Sequence, residues 1–171
     1  MKINIVLFHP EIPQNTANII RTCVGIDAKL HLIKPYGFDL NLSEKVFKRG
    51  STNYVEFVEL VEYESFEEFE EKNPYNNNYC FITRYGKETY DKINTEEVND
   101  QNIYLIFGNE SSGIEKKILE KYINNTYRIP TTKTIRSLNL SNCAMTISYE
   151  LLRQLNFNDL VRKEPHKKDY L

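Results

Sequence analysis

The sequence predicts an α/β domain with a mostly parallel sheet and helices on both faces. Short apolar runs alternate with amphipathic stretches along the chain, which is the element order of βαβ units. The first run, INIVLF at residues 3–8, is short and rich in β-branched residues, so we expect a buried strand. No internal repeat or linker interrupts this pattern. We therefore expect a single domain over residues 1–156 and a polar, basic tail over 157–171.

A helix and a strand follow the first strand. Residues 16–26 have helical spacing, and Pro13 just before them breaks the preceding segment. Asn15 is then expected to cap the helix, and Arg21 falls on the side opposite its apolar stripe. Taken alone, these two residues are an ordinary cap and a solvated cation. KLHLIK at 29–34 is predicted to be the next strand.

The middle of the chain continues the alternation. LSEKVFKR at 42–49 predicts a short helix, and YVEFVELV at 54–61 alternates with a period of two, which indicates a half-exposed strand. SFEEFEEK at 65–72 predicts a short acidic helix, and YCFITR at 79–84 a strand. Residues 85–102 are polar and are expected to form a loop with a helical turn.

The strand IYLIFG, predicted at 103–108, leads into the sequence NESSGIEKK. Gly108 at the strand end lets the backbone approach a ligand closely. Ser112 and Glu115 have the spacing of a capping box, which predicts that a helix over 113–122 begins there.

The last strand-to-helix junction is rich in small polar side chains. NTYRIP at 125–130 indicates a strand end, and TTKTIRSLNLSN follows it. Capping a helix over about 139–155 requires only one or two of these groups, so the others are available to a polar small molecule. Met145 and Tyr149 widen the apolar stripe of that helix to about half its circumference. The helix is then either central in its own domain or covered by a partner subunit on one side.

The charges are unevenly distributed. The formal net charge of -2 argues against a generic nucleic-acid binder. However, residues 56–71 hold eight acids and no Lys or Arg, so the remaining 16 of the 24 acids stand against 22 bases. A polyanion could dock on a face away from the acidic segment. The simpler alternative is that these runs are solvated surface.

Several function classes lack sequence support. No apolar run approaches the roughly 18–20 residues of a membrane span, and the N-terminus lacks a small-residue cleavage site. The three cysteines show neither CxxC nor Cys/His spacing, which weakens disulfide and zinc hypotheses and favours a reducing, cytoplasmic compartment. GxGxxG, Walker A and Gly-x-Ser-x-Gly motifs do not occur, so dinucleotide, P-loop and serine-hydrolase sites are not expected.

Three loops together resemble motifs 1, 2 and 3 of the SPOUT RNA methyltransferases. They are PEIPQNTANIIRTC (10–23), LIFGNESSGI (105–114) and RIPTTKTIRSLNLSNCAMTISYELLRQL (128–155). The three loops occur in the same order as the family motifs and at the same intervals. LHLIKPYGF at 30–38 also resembles a stretch of the small TrmL-type (YibK-like) group, which methylates the ribose 2′-OH of the tRNA wobble nucleotide, C34 or modified U34. A departure is Thr131, where that group usually has Met.

The resemblance implies more than an activity. It implies a C-terminal trefoil knot, a homodimer formed through the first and last helices, and S-adenosylmethionine as the cofactor. It implies a tRNA anticodon stem-loop as the substrate. The sequence features above lead us to expect neither a membrane nor a metal as a partner. Two alternatives stay open: the same fold acting on ribosomal RNA or on a base nitrogen, and a non-catalytic RNA-binding factor that keeps the knot.

Site residues are carried over position by position from the resemblance. The implied cofactor-binding residues are Ile82, Gly108, Glu110, Ile129, Ser137 and Leu138. The implied catalytic residues are Arg21, Asn15, Ser137 and Asn139. Because a guanidinium stays protonated, we expect Arg21 to hold a phosphate and stabilise a developing alkoxide rather than act as a base. Further RNA contacts are expected at Arg136, Lys45, Lys48 and Arg49, each of which could equally be a surface cation.

Overall fold

A computed structural model describes residues 1–51, 54–98, 101–157 and 160–163, and it contains a seven-stranded sheet. The strands are β1 (Lys2–Phe8), β2 (Lys29–Ile33), β3 (Leu60–Tyr63), β4 (Tyr79–Ile82), β5 (Glu88–Thr89), β6 (Asn102–Phe107) and β7 (Thr126–Arg128). Their spatial order is β3-β2-β1-β6-β4-β7-β5, and each of these pairings is parallel. The predicted α/β class with a parallel sheet is confirmed.

Helices cover both faces of the sheet. They are α1 (Pro13–Gly25), α2 (Lys45–Gly50), α3 (Phe66–Lys72), α4 (Lys116–Lys121) and α5 (Leu140–Gln154). Successive residues of β1 point to opposite faces, so Leu7 joins the core beneath α1, α2 and α5, while Phe8 joins the core beneath α3 and α4.

The carboxyl ends of the central strands lie side by side. Phe107 at the end of β6 is in register with Leu7 of β1 and with Ile82 at the end of β4. Because all these strands are parallel, the loops that follow them emerge at the same edge of the sheet, where open α/β folds bind ligands.

The predicted strand over 54–61 is wrong in its first half. Tyr54–Phe57 form a 3-10 turn, and only Leu60–Tyr63 are extended. Val55 and Val58 are three residues apart and pack against the same core, which is the period of a 3-10 helix. In a strand, the two side chains would point to opposite faces.

Two predicted caps are also wrong, whereas the start of the last helix is confirmed. α1 begins at Pro13 without a side-chain cap, since a proline at this position has no N–H to satisfy, and Asn15 lies inside the first turn. α4 begins at Lys116, three residues later than expected from the Ser112 spacing, and its N-cap Glu115 makes no capping bond. α5 begins at Leu140, directly after Asn139.

The remaining predictions concern membrane spans, metal sites, the cysteines and the C-terminal tail. No helix in the described ranges is both long and apolar enough to cross a membrane. The same ranges contain no group of His, Cys, Asp and Glu side chains placed to hold a metal ion. Cys23, Cys80 and Cys143 are free thiols. Most of the predicted tail, residues 158–159 and 164–171, lies outside the described residues.

Candidate active site

A cavity of about 700 Å³ opens at the carboxyl ends of β4, β6 and β7, beside the N-terminus of α5. Every predicted cofactor-binding residue lines it: Ile82, Gly108, Glu110, Ile129, Ser137 and Leu138. Three of the four predicted catalytic residues line it as well: Asn15, Ser137 and Asn139. The loops singled out in the sequence therefore converge on one space.

Asn15 joins the three loops through its side chain. Its Nδ2 donates to Glu110 Oε1 at 2.7 Å, and its Oδ1 accepts from Asn139 Nδ2 at 2.9 Å. Asn15 is buried, which explains why this polar side chain needs both partners. The other Glu110 oxygen, Oε2, accepts from the backbone N–H of Glu11 at 3.0 Å. The two carboxylate oxygens of Glu110 therefore hold the first turn of α1 and the loop before it in place.

Asn139 is also the N-cap residue of α5. Its Oδ1 accepts from the backbone N–H groups of Ser141 at 2.9 Å and Asn142 at 3.3 Å, and from the Ser141 hydroxyl at 2.7 Å. These bonds satisfy donors that a helix end leaves free. Because Oδ1 caps the helix, the amide nitrogen is directed at Asn15, and the cap fixes the orientation of the side chain.

A reciprocal contact ties the first two loops together. The Glu11 carboxylate accepts from the Ser111 hydroxyl at 2.6 Å and from the Ser111 backbone N–H at 3.1 Å. In return, the Glu11 backbone donates to Glu110. The wall of the cavity formed by residues 109–113 is thus anchored to the segment that enters α1.

A tight turn after β6 explains the glycine at its end. Asn109 Oδ1 accepts from Ser112 N at 2.7 Å and from Gly113 N at 2.9 Å, and Gly113 has a positive φ of 77°. The turn folds back so closely that a Cβ on Gly108 would lie 2.2 Å from the Gly113 carbonyl carbon. Gly108 is therefore required by the chain's own backbone, whereas the sequence interpretation assigned its space to a ligand.

Arg21 does not line this cavity. It is exposed on α1, six residues beyond Asn15, which corresponds to about 9 Å along the helix and about 120° around it. Arg136, one of the predicted RNA contacts, lines the cavity. The other three, Lys45, Lys48 and Arg49, are exposed on or at the start of α2 and do not line it.

Three residues that were not predicted from the sequence as site residues also line the cavity: Arg84, Tyr85 and Arg128. They follow β4 or end β7, so the rule that ligands bind beyond strand ends could have found them. Cys143 is a lining residue too, and burial raises the pKa of its thiol, so it is not a poised nucleophile.

The lining is electropositive. Among lining residues the charged side chains are Arg84, Arg128, Arg136 and Glu110, and Glu110 is engaged by Asn15 and Glu11. Within the part of the chain that the structure describes, none of these arginines lies within 4.0 Å of a carboxylate oxygen. Unpaired guanidinium groups around a concave site are suited to phosphate recognition.

The sequence is similar to a known protein family and to named proteins. Residues 2–149 match the model of the SpoU rRNA Methylase family. A Listeria monocytogenes protein, named provisionally as a tRNA (cytidine(34)-2′-O)-methyltransferase, is 44% identical over 163 residues, covering 95% of this chain and 94% of its own.

Solved structures share the fold. One, described as giving structural insights into the 2-OH methylation of C/U34 on tRNA, superposes with a TM-score of 0.80 and 33% identity, covering 92% of this chain and 98% of that one. Another, the SpoU methyltransferase AviRb from Streptomyces viridochromogenes in complex with the cofactor AdoMet, has a TM-score of 0.76 at 20% identity. It covers 91% of this chain and 58% of that one, and at this identity the likeness concerns the fold alone.

Proposed function

The chain belongs to the SpoU rRNA Methylase family, and from that membership we propose that it methylates the ribose 2′-OH of the tRNA wobble nucleotide, C34 or modified U34, with S-adenosylmethionine as donor. The observation that carries the proposal is the Asn15 bridge, which joins all three motif loops around one cavity. Through Asn15, the bridge holds Glu110 and Asn139 side by side at the cavity.

The cavity fits such a cofactor. Its volume of about 700 Å³ lies within the range of roughly 300–1,000 Å³ typical of small-molecule sites. Its walls combine apolar side chains, such as Ile82, Ile129 and Leu138, with exposed main chain at Gly108 and the Ser137 hydroxyl. We propose that these residues hold S-adenosylmethionine. When bound, it supplies a methyl group activated by the positive sulfonium.

The chain's own residues must then align the ribose and support loss of its proton. Asn139 and Ser137 lie at the N-terminus of α5, where the helix dipole favours a developing negative charge. Glu110 is not placed to act as a base, because its two oxygens accept hydrogen bonds from Asn15 and from the Glu11 backbone. We propose that Arg21 stabilises the alkoxide and a neighbouring phosphate.

Because Arg21 does not line the cavity of its own chain, this role requires a partner. Met145 is 52% exposed and Tyr149 is 43% exposed on α5, which packs against α1. We propose that two copies of the chain pair through these helices, as the resemblance implies, and that Arg21 serves the cavity of the partner subunit. Covering exposed apolar side chains stabilises such a pair.

The proposal also includes a C-terminal knot and a cytoplasmic location. After β7, which lies beyond β4 in the sheet, the chain returns to pack α5 on α1 and β6. This recrossing of the carboxyl edge is what a C-terminal trefoil knot requires. A tRNA substrate and three free thiols are in keeping with work in the cytoplasm.

Incubation with labelled S-adenosylmethionine and unmodified tRNA, followed by nucleoside mapping, tests the function. We expect label on the ribose of nucleotide 34. Label on a base atom, or only on ribosomal RNA, would overturn the wobble assignment. Tight tRNA binding without any label would favour the non-catalytic RNA-binding alternative.

A further inference from the structure

The turn after β4 presents an arginine–tyrosine pair at the mouth of the cavity. The Arg84 guanidinium carbon lies 4.5 Å from the centre of the Tyr85 ring, and the same guanidinium donates to the Tyr85 hydroxyl. Tyr85 is 65% exposed, so most of the residue is accessible to solvent. An exposed aromatic ring of this kind is a surface on which a nucleobase can stack.

The turn that carries this pair is anchored at both ends. The Thr83 N–H donates to the Tyr127 carbonyl at 2.9 Å, and the Lys87 N–H donates to Thr126 Oγ1 at 3.0 Å. Gly86 lies so close to β7 that a Cβ on it would be 2.2 Å from the Tyr127 carbonyl carbon. The ring is thus presented by a fixed backbone, and a ligand that stacks on it need not order a loop.

The charges around the pair indicate which ligand it suits. Arg84, Arg128 and Arg136 surround the same cavity, and Glu110, the carboxylate among the lining residues, is already hydrogen-bonded. S-adenosylmethionine carries a net positive charge, because its sulfonium and ammonium outweigh one carboxylate. Three unpaired guanidinium groups therefore match the phosphates of RNA and not the cofactor.

We propose that Arg84 and Tyr85 form an RNA-docking platform, on which a nucleobase next to the target nucleotide stacks while Arg128 and Arg136 hold flanking phosphates. This inference rests on the proposed function and adds to it the side from which RNA enters. That side is the β4–β7 edge of the cavity. The cations that the sequence suggested lie on or at the start of α2, which packs against α1. α1 contacts β2, and in the sheet β2 is separated from β4 and β7 by β1 and β6.

The test compares Tyr85→Ala with Tyr85→Phe, and uses Tyr54→Ala as a matched control. Tyr54 is 44% exposed and does not line the cavity. The probes are a tRNA anticodon stem-loop transcript and S-adenosylmethionine, each titrated by calorimetry. We expect Tyr85→Ala to weaken RNA binding about tenfold and to leave cofactor affinity within about twofold. Tyr85→Phe keeps the ring and should bind RNA nearly as the unchanged protein does, as should Tyr54→Ala.

A salt titration tests the cation separately. If Arg128 contacts a phosphate, Arg128→Gln should reduce the slope of log Kd against log salt by about 0.7–0.9. Unchanged RNA affinity in Tyr85→Ala would overturn the platform, and so would a loss of cofactor affinity with RNA binding intact, which would place the ring over the cofactor. Failure of the proposed function looks different: the unchanged protein would label no tRNA, whereas failure of the platform alone leaves labelling normal in Tyr85→Ala.

Discussion

Asn139 donates a 2.9 Å hydrogen bond to Asn15, although 124 residues separate them in the chain. The acceptor end of the Asn139 amide caps α5, and the donor end of the Asn15 amide is held by Glu110. Both amides are therefore fixed in orientation, and a change at Glu110 is transmitted to the start of the last helix. The geometry of the site depends on this chain of three side chains.

Glu110→Gln should destabilise the protein. Each carboxylate oxygen accepts a hydrogen bond, from Asn15 Nδ2 and from the Glu11 N–H, so a glutamine would set its NH2 group against a donor. Leaving one of these partly buried groups unsatisfied costs about 1–2 kcal/mol, which lowers the melting temperature of a domain of this size by roughly 2–8 °C. Differential scanning calorimetry measures the shift.

Glu120→Gln is the matched control for that substitution. Glu120 is exposed and, among the described residues, pairs only with Lys116, four residues away at 3.3 Å. The melting temperature of the variant should therefore change by no more than about 1 °C. Equal melting temperatures for the two variants would mean that the Glu110 contacts contribute nothing.

Gly108→Ala should disrupt the cavity wall, whereas Gly25→Ala should not. A Cβ at position 108 meets the Gly113 backbone at 2.2 Å, which cannot be relieved by a rotamer change, so the turn over 109–113 must shift. A Cβ at Gly25, the last residue of α1, has nothing within 4 Å and should be neutral or slightly stabilising. Calorimetric titration with S-adenosylmethionine should show a loss of affinity for Gly108→Ala alone.

These contacts mark the limit of what the sequence could predict. Periodicity placed most of the strands but missed β5, which lies in a segment predicted to be a loop. The loops beyond the carboxyl ends of the strands were the correct places to search, because parallel strands bring those ends together. The roles of individual side chains could not be read in the same way. Asn15 looks like a cap, but its real partners lie 95 and 124 positions away, and no local pattern encodes such a distance. The Tyr54–Phe57 turn was mistaken for a strand because the alternation was followed and not the three-residue spacing of Val55 and Val58, which fits a 3-10 helix.

His31 should make the protein less stable as the pH falls below neutrality. Burial lowers the pKa of this imidazole to about 3 in the folded state, where it bonds Tyr63 and Asn4 at 2.8 and 3.1 Å. In the unfolded chain the pKa is about 6.5. Between these values the unfolded state binds a proton that the folded state cannot, so the free energy of unfolding falls as the pH falls through that window.

Urea denaturation between about pH 7 and pH 5, where most carboxylates stay ionised, measures this effect. His31→Phe removes the proton-binding group, so its stability, although lower overall, should vary less with pH. His9→Asn is the comparison: His9 is half-buried with a φ of 51°, which asparagine tolerates, and desolvation lowers the pKa of its imidazole as well. A pH dependence in His31→Phe as steep as in the unchanged protein would contradict the assignment.

If the protein pairs through α1 and α5 as proposed, Met145→Asp should be monomeric. The side chain is 52% exposed on α5, beside Tyr149, and a carboxylate there would have to be desolvated on pairing. Ile123→Asp is the control, because Ile123 is 47% exposed on the turn Ile123–Asn125, which packs against β4, and a charge there should leave the proposed dimer intact. Light scattering after size-exclusion chromatography distinguishes the two masses. A dimeric Met145→Asp variant would mean that the α1–α5 face is not the interface.

Mixed dimers of Arg21→Ala and Asn139→Ala should recover activity that neither variant has alone. Arg21 is exposed and lies outside the cavity of its own chain, whereas Asn139 lines that cavity. If Arg21 serves the partner subunit, a mixed dimer contains one complete site, built from the cavity of one copy and the arginine of the other. Random co-refolding makes half of the dimers mixed, so labelling of tRNA should return to about a quarter of the unchanged rate. If Arg21 acted within its own chain, each site in every mixed dimer would lack one of the two residues, and the mixture would stay inactive.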